Sequence, residues 1–196
     1  KDGSTVQTFD TDPNVTTNRY NEYGQLIGAT ISNHSTSTDR GLNGIKSQET
    51  KNQVNQIMVV VKGESRVKVS DSSSSTISFK KDGTLLGSVT GNPDDTYNRQ
   101  KSHVEYTYDL DTSRVTSATG SSTSEGKDYY GVLSHGTVTQ EYAVIAGQAR
   151  VVKSISEVDT EGKDHSTSHQ KITTVNQYGA DGLLVSAKGT GFNVND

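Results

Sequence analysis

The run His103-Val104-Glu105-Tyr106-Thr107-Tyr108-Asp109-Leu110-Asp111 alternates with a period of two, Val104, Tyr106 and Tyr108 against His103, Glu105 and Thr107. Successive side chains of a β-strand point to opposite faces, so this run reads as a strand with one drier and one wetter face, closed by an Asp-flanked turn. The pattern recurs on both sides of it. Val138, Gln140, Tyr142 and Val144 alternate with Thr137, Thr139, Glu141 and Ala143, and Arg66, Lys68 and Ser70 with Val67, Val69 and Asp71. No stretch carries apolar residues at helical spacing for three turns, and β-branched and aromatic residues suit a pleated, half-buried surface. The chain is expected to be all-β.

Turn signals punctuate these runs at Glu22-Tyr23-Gly24, Lys62-Gly63, Lys81-Asp82-Gly83, Asp109-Leu110-Asp111, Ala146-Gly147 and Ala180-Asp181-Gly182. Gly, or Asp before Gly, tolerates the positive φ of tight hairpins. The polar stretches Asn33–Asn43, Asp71–Ser75, Gly91–Gln100, Gly120–Asp128 and Glu157–Gln170 are expected to be longer connectors. With no helix to make a parallel crossover, about a dozen strands should follow one another as an antiparallel meander, sandwich-like or extended. A division into hairpin-repeat regions 1–100 and 101–196 is expected, or one continuous β domain.

The hairpins fall into two kinds. Tyr20–Ala29, Phe79–Ser88 and Gln177–Ser186 share an entering strand end, a turning Gly, an aliphatic residue and then a small one; Tyr108–Ala118 is a degenerate copy. Val59–Val67 and Tyr142–Val151 share a second plan, with x-Gly followed by Arg-Val. Lys1–Thr5 also matches Lys163–Thr167. Such self-similarity marks an array in which each unit buries its face against its neighbours.

Tyr106–Val115, Tyr20–Leu26 and Phe79–Leu85 resemble the Tyr-Asp (YD, or Rhs-type) repeats of large bacterial surface and secreted proteins. They are also similar to the Ser/Thr/Gly-rich hairpin arrays of surface proteins from uncultured bacteria. The resemblance implies an exported, β-rich protein of the cell envelope, extracellular or at the cell surface. It carries no catalytic residues.

Composition narrows the chemistry. The 196 residues include no Cys, which excludes disulfides, thiol catalysis and Cys-based metal sites. No apolar run reaches the length of a membrane-spanning helix. A formal net charge of −4 with interspersed signs argues against a nucleic-acid partner. The chain begins at Lys1 without Met or a leader, so it is expected to be mature, processed or excised from something longer.

Sites of chemistry are scarce. His165 and His169 on one strand would lie too far apart for one metal. Asp10-Thr11-Asp12-Pro13-Asn14 has the alternating oxygens of a calcium loop but Val15 where Gly belongs and Asn21 where a bidentate Glu belongs. Asn92–Asp95 and Asp109–Asp111 are similar fragments, and turns alone explain such residues. Gly-x-Ser-x-Gly is absent. No metal or cofactor is expected, and no catalytic residue. Ser and Thr, at 25 each, carry more weight. Asn14 and Asn33 fit the N-glycan acceptor pattern, and Ser72, Ser73, Ser121 and Ser122 lie in clusters suited to O-glycans.

The expected function is structural: a non-catalytic subunit or repeat segment of a bacterial surface filament or matrix fibre, joined head-to-tail to copies of itself by β-strand addition. The alternative is an adhesin stalk or carbohydrate-binding β-sandwich with glycans as partners.

Overall fold

The computed structural model describes residues 5–9, 14–40, 44–79 and 96–196. The strands are β1 (Thr5–Phe9), β2 (Val15–Tyr20), β3 (Leu26–Arg40), β4 (Lys46–Val61), β5 (Glu64–Ser78), β6 (Tyr97–Tyr108), β7 (Val115–Lys127), β8 (Leu133–Ile145), β9 (Gln148–Glu161), β10 (Thr167–Tyr178) and β11 (Leu184–Asn195). All pair antiparallel in a single sheet ordered β1-β3-β4-β5-β6-β7-β8-β9-β10-β11, with β2 also on β3. β2 pairs with residues 26–32 of β3 and β1 with residues 36–40, so the two lie end to end along one edge. The sheet therefore has ten strand positions, about 48 Å across at ~4.8 Å per strand. Of the two expected forms, sandwich-like and extended, the described residues take a single layer. The line between residues 100 and 101 falls inside β6, whose pairing with β5 carries the sheet across it.

One expectation is overturned. The polar stretches read as connectors are mostly strand: residues 33–40 lie in β3, 71–75 in β5, 97–100 in β6, 120–127 in β7, and 157–161 and 167–170 in β9 and β10. Residues 41–43 and 91–95 of those stretches lie outside the described residues. Ser and Thr do not interrupt a sheet when their hydroxyls pair across it. Thr50 and Thr76 do so at 2.9 Å, as do Ser72 and Ser102 at 2.7 Å.

The two kinds of hairpin become two geometries. At Lys62-Gly63 and Ala146-Gly147 both residues have positive φ (50° and 80°, 51° and 76°), the mirror-image turn whose twist matches the strands. At Asn21–Gln25, Asp128–Val132, Gly162–Ser166 and Gly179–Leu183 the first N–H donates to the fifth carbonyl and the fourth N–H to the first. The fourth residue has positive φ in each: Gly24, Gly131, His165 and Gly182. Asp128–Val132 closes one of the stretches read as connectors, and Gly162–Ser166 lies within another, Glu157–Gln170, where a connector is expected. The hairpin around Lys81-Asp82-Gly83 lies outside the described residues.

Ordered along the sheet, the turns reveal a four-strand period. Tyr20, Tyr108 and Tyr178 end β2, β6 and β10, the first and last before a five-residue turn and Tyr108 before a six-residue variant, Asp109–Arg114, with positive φ at Ser113. Gly63 and Gly147 turn β4 into β5 and β8 into β9. The unit β2–β5 thus recurs as β6–β9, and β10–β11 repeats its first half.

A single layer leaves little interior. Val61 (3% exposed) and Ala118 (5%) are the buried hydrophobic residues among those described. The chain exposes 12705 Å², against roughly 9,000 Å² for a compact monomer of its 21.0 kDa mass.

Candidate functional site: two faces and two edges

Register assigns every strand residue to a face. One row across the sheet reads Lys51, Ser75, Arg99, Glu125, His135, Asp159, His169. The adjacent row, on the opposite face, reads Asn52, Ser74, Gln100, Ser124, Gly136, Val158, Gln170. The contrast holds from row to row. Apart from the extra residue at each bulge, one face of β2–β11 carries no Lys, Arg, His or Glu, and a single carboxylate, Asp39, at its margin.

The alternations at residues 103–108 and 137–144 fall on these faces as expected. That at 66–71 does not. The register shifts at Ile57/Met58 because Lys68 is an extra residue, so Arg66, Val69 and Asp71 share the charged face and Val67 and Ser70 the other.

On the charged face Asp and Glu stand against Lys, Arg and His of neighbouring strands. Arg99 pairs with Glu125 at 3.1 Å, Lys153 with Glu141 at 2.8 Å, Lys171 with Glu157 at 2.5 Å, His103 with Asp71 at 2.7 Å and His169 with Asp159 at 2.6 Å. These exposed cross-strand pairs hold register more than they stabilise, at ~0.2–1 kcal/mol each. The concavities on this face are open troughs, one lined by Gln53, Asp71, Ser73, Lys101, His103 and Thr123.

The other face gathers the tyrosines. Tyr20, Tyr106, Tyr108, Tyr142 and Tyr178 all stand on it, beside Met58 and Ala118. Burial pushes the Tyr108 and Tyr142 phenols upward, and Tyr106 adds to both shifts. Tyr108 donates to the Val67 carbonyl of β5 at 2.6 Å, and Tyr178 to the equivalent Val151 carbonyl of β9 at 3.0 Å. Each phenol thus ties the first strand of a unit to the last strand of the unit before. Tyr20 holds the same place on β2 with no described strand outside it, and is 56% exposed. Tyr108→Phe and Tyr178→Phe should each lower stability by about 1 kcal/mol. Tyr20→Phe should leave the isolated chain unchanged. Urea unfolding of the three variants checks this.

The two sheet edges differ. Thr167 and Asp196 exchange both backbone hydrogen bonds (2.9 and 3.0 Å), fixing them as a hydrogen-bonded pair. Antiparallel pairs alternate, so Gly189, Gly191, Asn193 and Asn195 fall in the non-bonded pairs and aim their N–H and C=O groups out of the sheet. β11 is exposed along its whole length and carries one charge, Lys188. Charges, Pro and bulges usually blunt such an edge. On the opposite edge the ladder is broken between β1 and β2, where the Asn14 side chain accepts the His34 N–H at 3.0 Å.

The His and Asp residues weighed as candidate ligands stand apart. His165 sits in the β9–β10 turn and His169 in β10 against Asp159, each with its own acidic neighbour. Among the described residues no three His, Asp or Glu converge as a metal site. Asp10–Pro13 and Asn92–Asp95 lie outside the described residues.

Asp109 accepts from the Thr112 N–H and hydroxyl and from the Asp111 N–H, which hold its carboxyl below the usual range. Asp164 is lowered by the Ser166 hydroxyl and N–H. A depressed carboxyl favours the folded turn above its ordinary pKa, and that contribution is lost as pH falls through the folded value. Amide protection factors, measured against the intrinsic exchange rate at each pH, should therefore fall at Thr112 and Ser166 on acidification below about pH 4, while that of Gly147, in a turn without a carboxylate cap, should not change.

Asn14 and Asn33 are exposed, the latter in mid-strand on the uncharged face. Ser72 and Ser122 stand on that face, Ser73 and Ser121 on the charged one. No helix long and apolar enough to cross a membrane occurs among the described residues. The chain matches no known protein family and no curated protein.

Proposed function

We propose that this chain is a structural protein, a subunit or repeat segment of an extracellular filament or matrix fibre that joins head-to-tail by β-strand addition. One observation carries the reading: the β11 edge, which beyond its bulge at Val185 and the single charge of Lys188 presents the outward backbone groups of Gly189, Gly191, Asn193 and Asn195. The rest of the sheet is compatible with it. Ten positions is an even number, so β11 of one copy and β1–β2 of the next run antiparallel when subunits repeat by translation. A strand laid along β2 also offers the Tyr20 phenol a main-chain carbonyl, as β5 does for Tyr108. Such contacts are heterologous and extend without limit unless rotation closes them.

The faces suit this role more than catalysis. Among the described residues titratable groups are spread over the charged face, most of them in exposed pairs. Export from a bacterial cell and glycosylation at Asn33 or Ser121 belong to the same proposal, and intact mass of native material tests the latter. Electron microscopy of the purified chain tests assembly. Unbranched fibres that lengthen with concentration support it, and a monodisperse monomer at high concentration refutes it.

A second reading as a glycan-binding stalk draws on the exposed Tyr129–Tyr130 pair in the β7–β8 turn, with ring centroids 5.7 Å apart. A saturable hit on a glycan array, lost in Tyr129→Ala, would favour it.

A further inference from the structure

We propose that the uncharged face is an interface with a second copy of this chain, two sheets packed face to face about a two-fold axis.

The occupant follows from charge. No second layer of the described chain covers this face: beyond sheet neighbours the strands make few contacts, those of β7 with β9 foremost. A charged partner surface would have to give up the hydration of its ions. The face that meets it without unpaired charge is its own duplicate, and a two-fold contact requires self-complementarity of this kind.

Several polar groups on this face are paired within it, and drying leaves those satisfied. Ser72 bonds Ser102 at 2.7 Å, Thr50 bonds Thr76 at 2.9 Å, Tyr142 donates to Gln140 at 2.9 Å and Asn176 to the Val151 carbonyl at 3.0 Å. Hydrogen bonds retained on burial avoid the desolvation penalty of orphaned groups. Between these groups lie Val54, Val104, Val138 and Val158, half-buried in the single chain.

Shape and area agree. Gly120 and Gly136 admit the Tyr142, Gln140 and Ser124 side chains of neighbouring strands against the backbone, and sheets pack about 10 Å apart when their side chains interdigitate. Ten positions at ~4.8 Å and about 12 residues at ~3.3 Å give a face of roughly 1,900 Å², more than twice the ~800 Å² per partner of a stable interface. Pairing would restore, between two chains, the sandwich that one chain lacks. It uses side chains rather than strand edges, so it stands or falls apart from fibre growth.

The test uses the full chain with its β11 edge blocked by Gly189→Pro and Asn193→Pro, studied by sedimentation velocity. The expected species has twice the 21.0 kDa chain mass. Val138→Lys should raise its dissociation constant by about a hundredfold. Thr137→Lys, one residue away on the charged face, should leave it unchanged. Ser122→Lys against Ser121→Lys repeats the comparison on β7, with far-UV circular dichroism reporting the fold. A monomeric edge-blocked chain, or equal effects of lysine on the two faces, overturns the proposal.

Discussion

Replacing Gly189 and Asn193 together by proline is expected to stop fibre growth while the sheet stays folded. Both residues direct their N–H groups away from β10, so proline removes donors that a next subunit would need and none that β11 uses. A Cβ at Gly189 meets no atom within 4 Å, so the ring has room. Elongation followed by light scattering should slow by more than about tenfold, because each proline deletes a ladder bond and pushes its ring into the incoming strand. The control is Thr190→Pro, whose N–H falls in a bonded pair with Thr173 and should detach β11 from β10. Unchanged growth in the edge variant, with normal circular dichroism, would remove β11 from the account.

The second large effect concerns stability. With only Val61 and Ala118 buried among the described hydrophobic residues, the lone sheet has little apolar burial to set against backbone entropy. On the proposed assembly, contacts with other copies contribute much of the stability, and that contribution depends on concentration. Each tenfold rise in total chain should stabilise the fold by about 1.4 kcal/mol while assembly is coupled to folding. The urea midpoint should climb accordingly in the native chain, and less in one with both the β11 edge and the uncharged face disabled. A midpoint indifferent to concentration in the native chain contradicts the coupling.

Strand periodicity was legible where bulges are absent. The alternation at residues 103–108 and 137–144 places each side chain on its observed face, and the x-Gly turns at 62–63 and 146–147 carry their geometry in two residues. Residues 66–71 misled because one extra residue, Lys68, flips the pattern, and nothing local marks a bulge. Ser72–Ser75 and Ser121–Ser124 misled for a different reason. Their composition matches loops, but their neighbours across the sheet supply hydroxyl partners that no single segment reveals. The Gly at the fourth turn position was the available signal for Asp128–Val132, overlooked beside Tyr129 and Tyr130.

Segregation of charge to one face was also present in the sequence, but only as parity summed over ten strands in the correct register. The relation among Tyr20, Tyr108 and Tyr178 needed the sheet order as well. Hairpin similarity placed them in one class, and only the strands beside them give two of the phenols a carbonyl and leave the third exposed.

Fibre diffraction from aligned material asks most directly whether this polypeptide completes itself with its own copies. Strands stacked along the axis should give a meridional spacing near 4.8 Å, with a layer line near 48 Å from the ten-position subunit. An isotropic pattern from concentrated protein that stays monomeric in solution, or an axial repeat unrelated to ten strands, would contradict head-to-tail growth through β11.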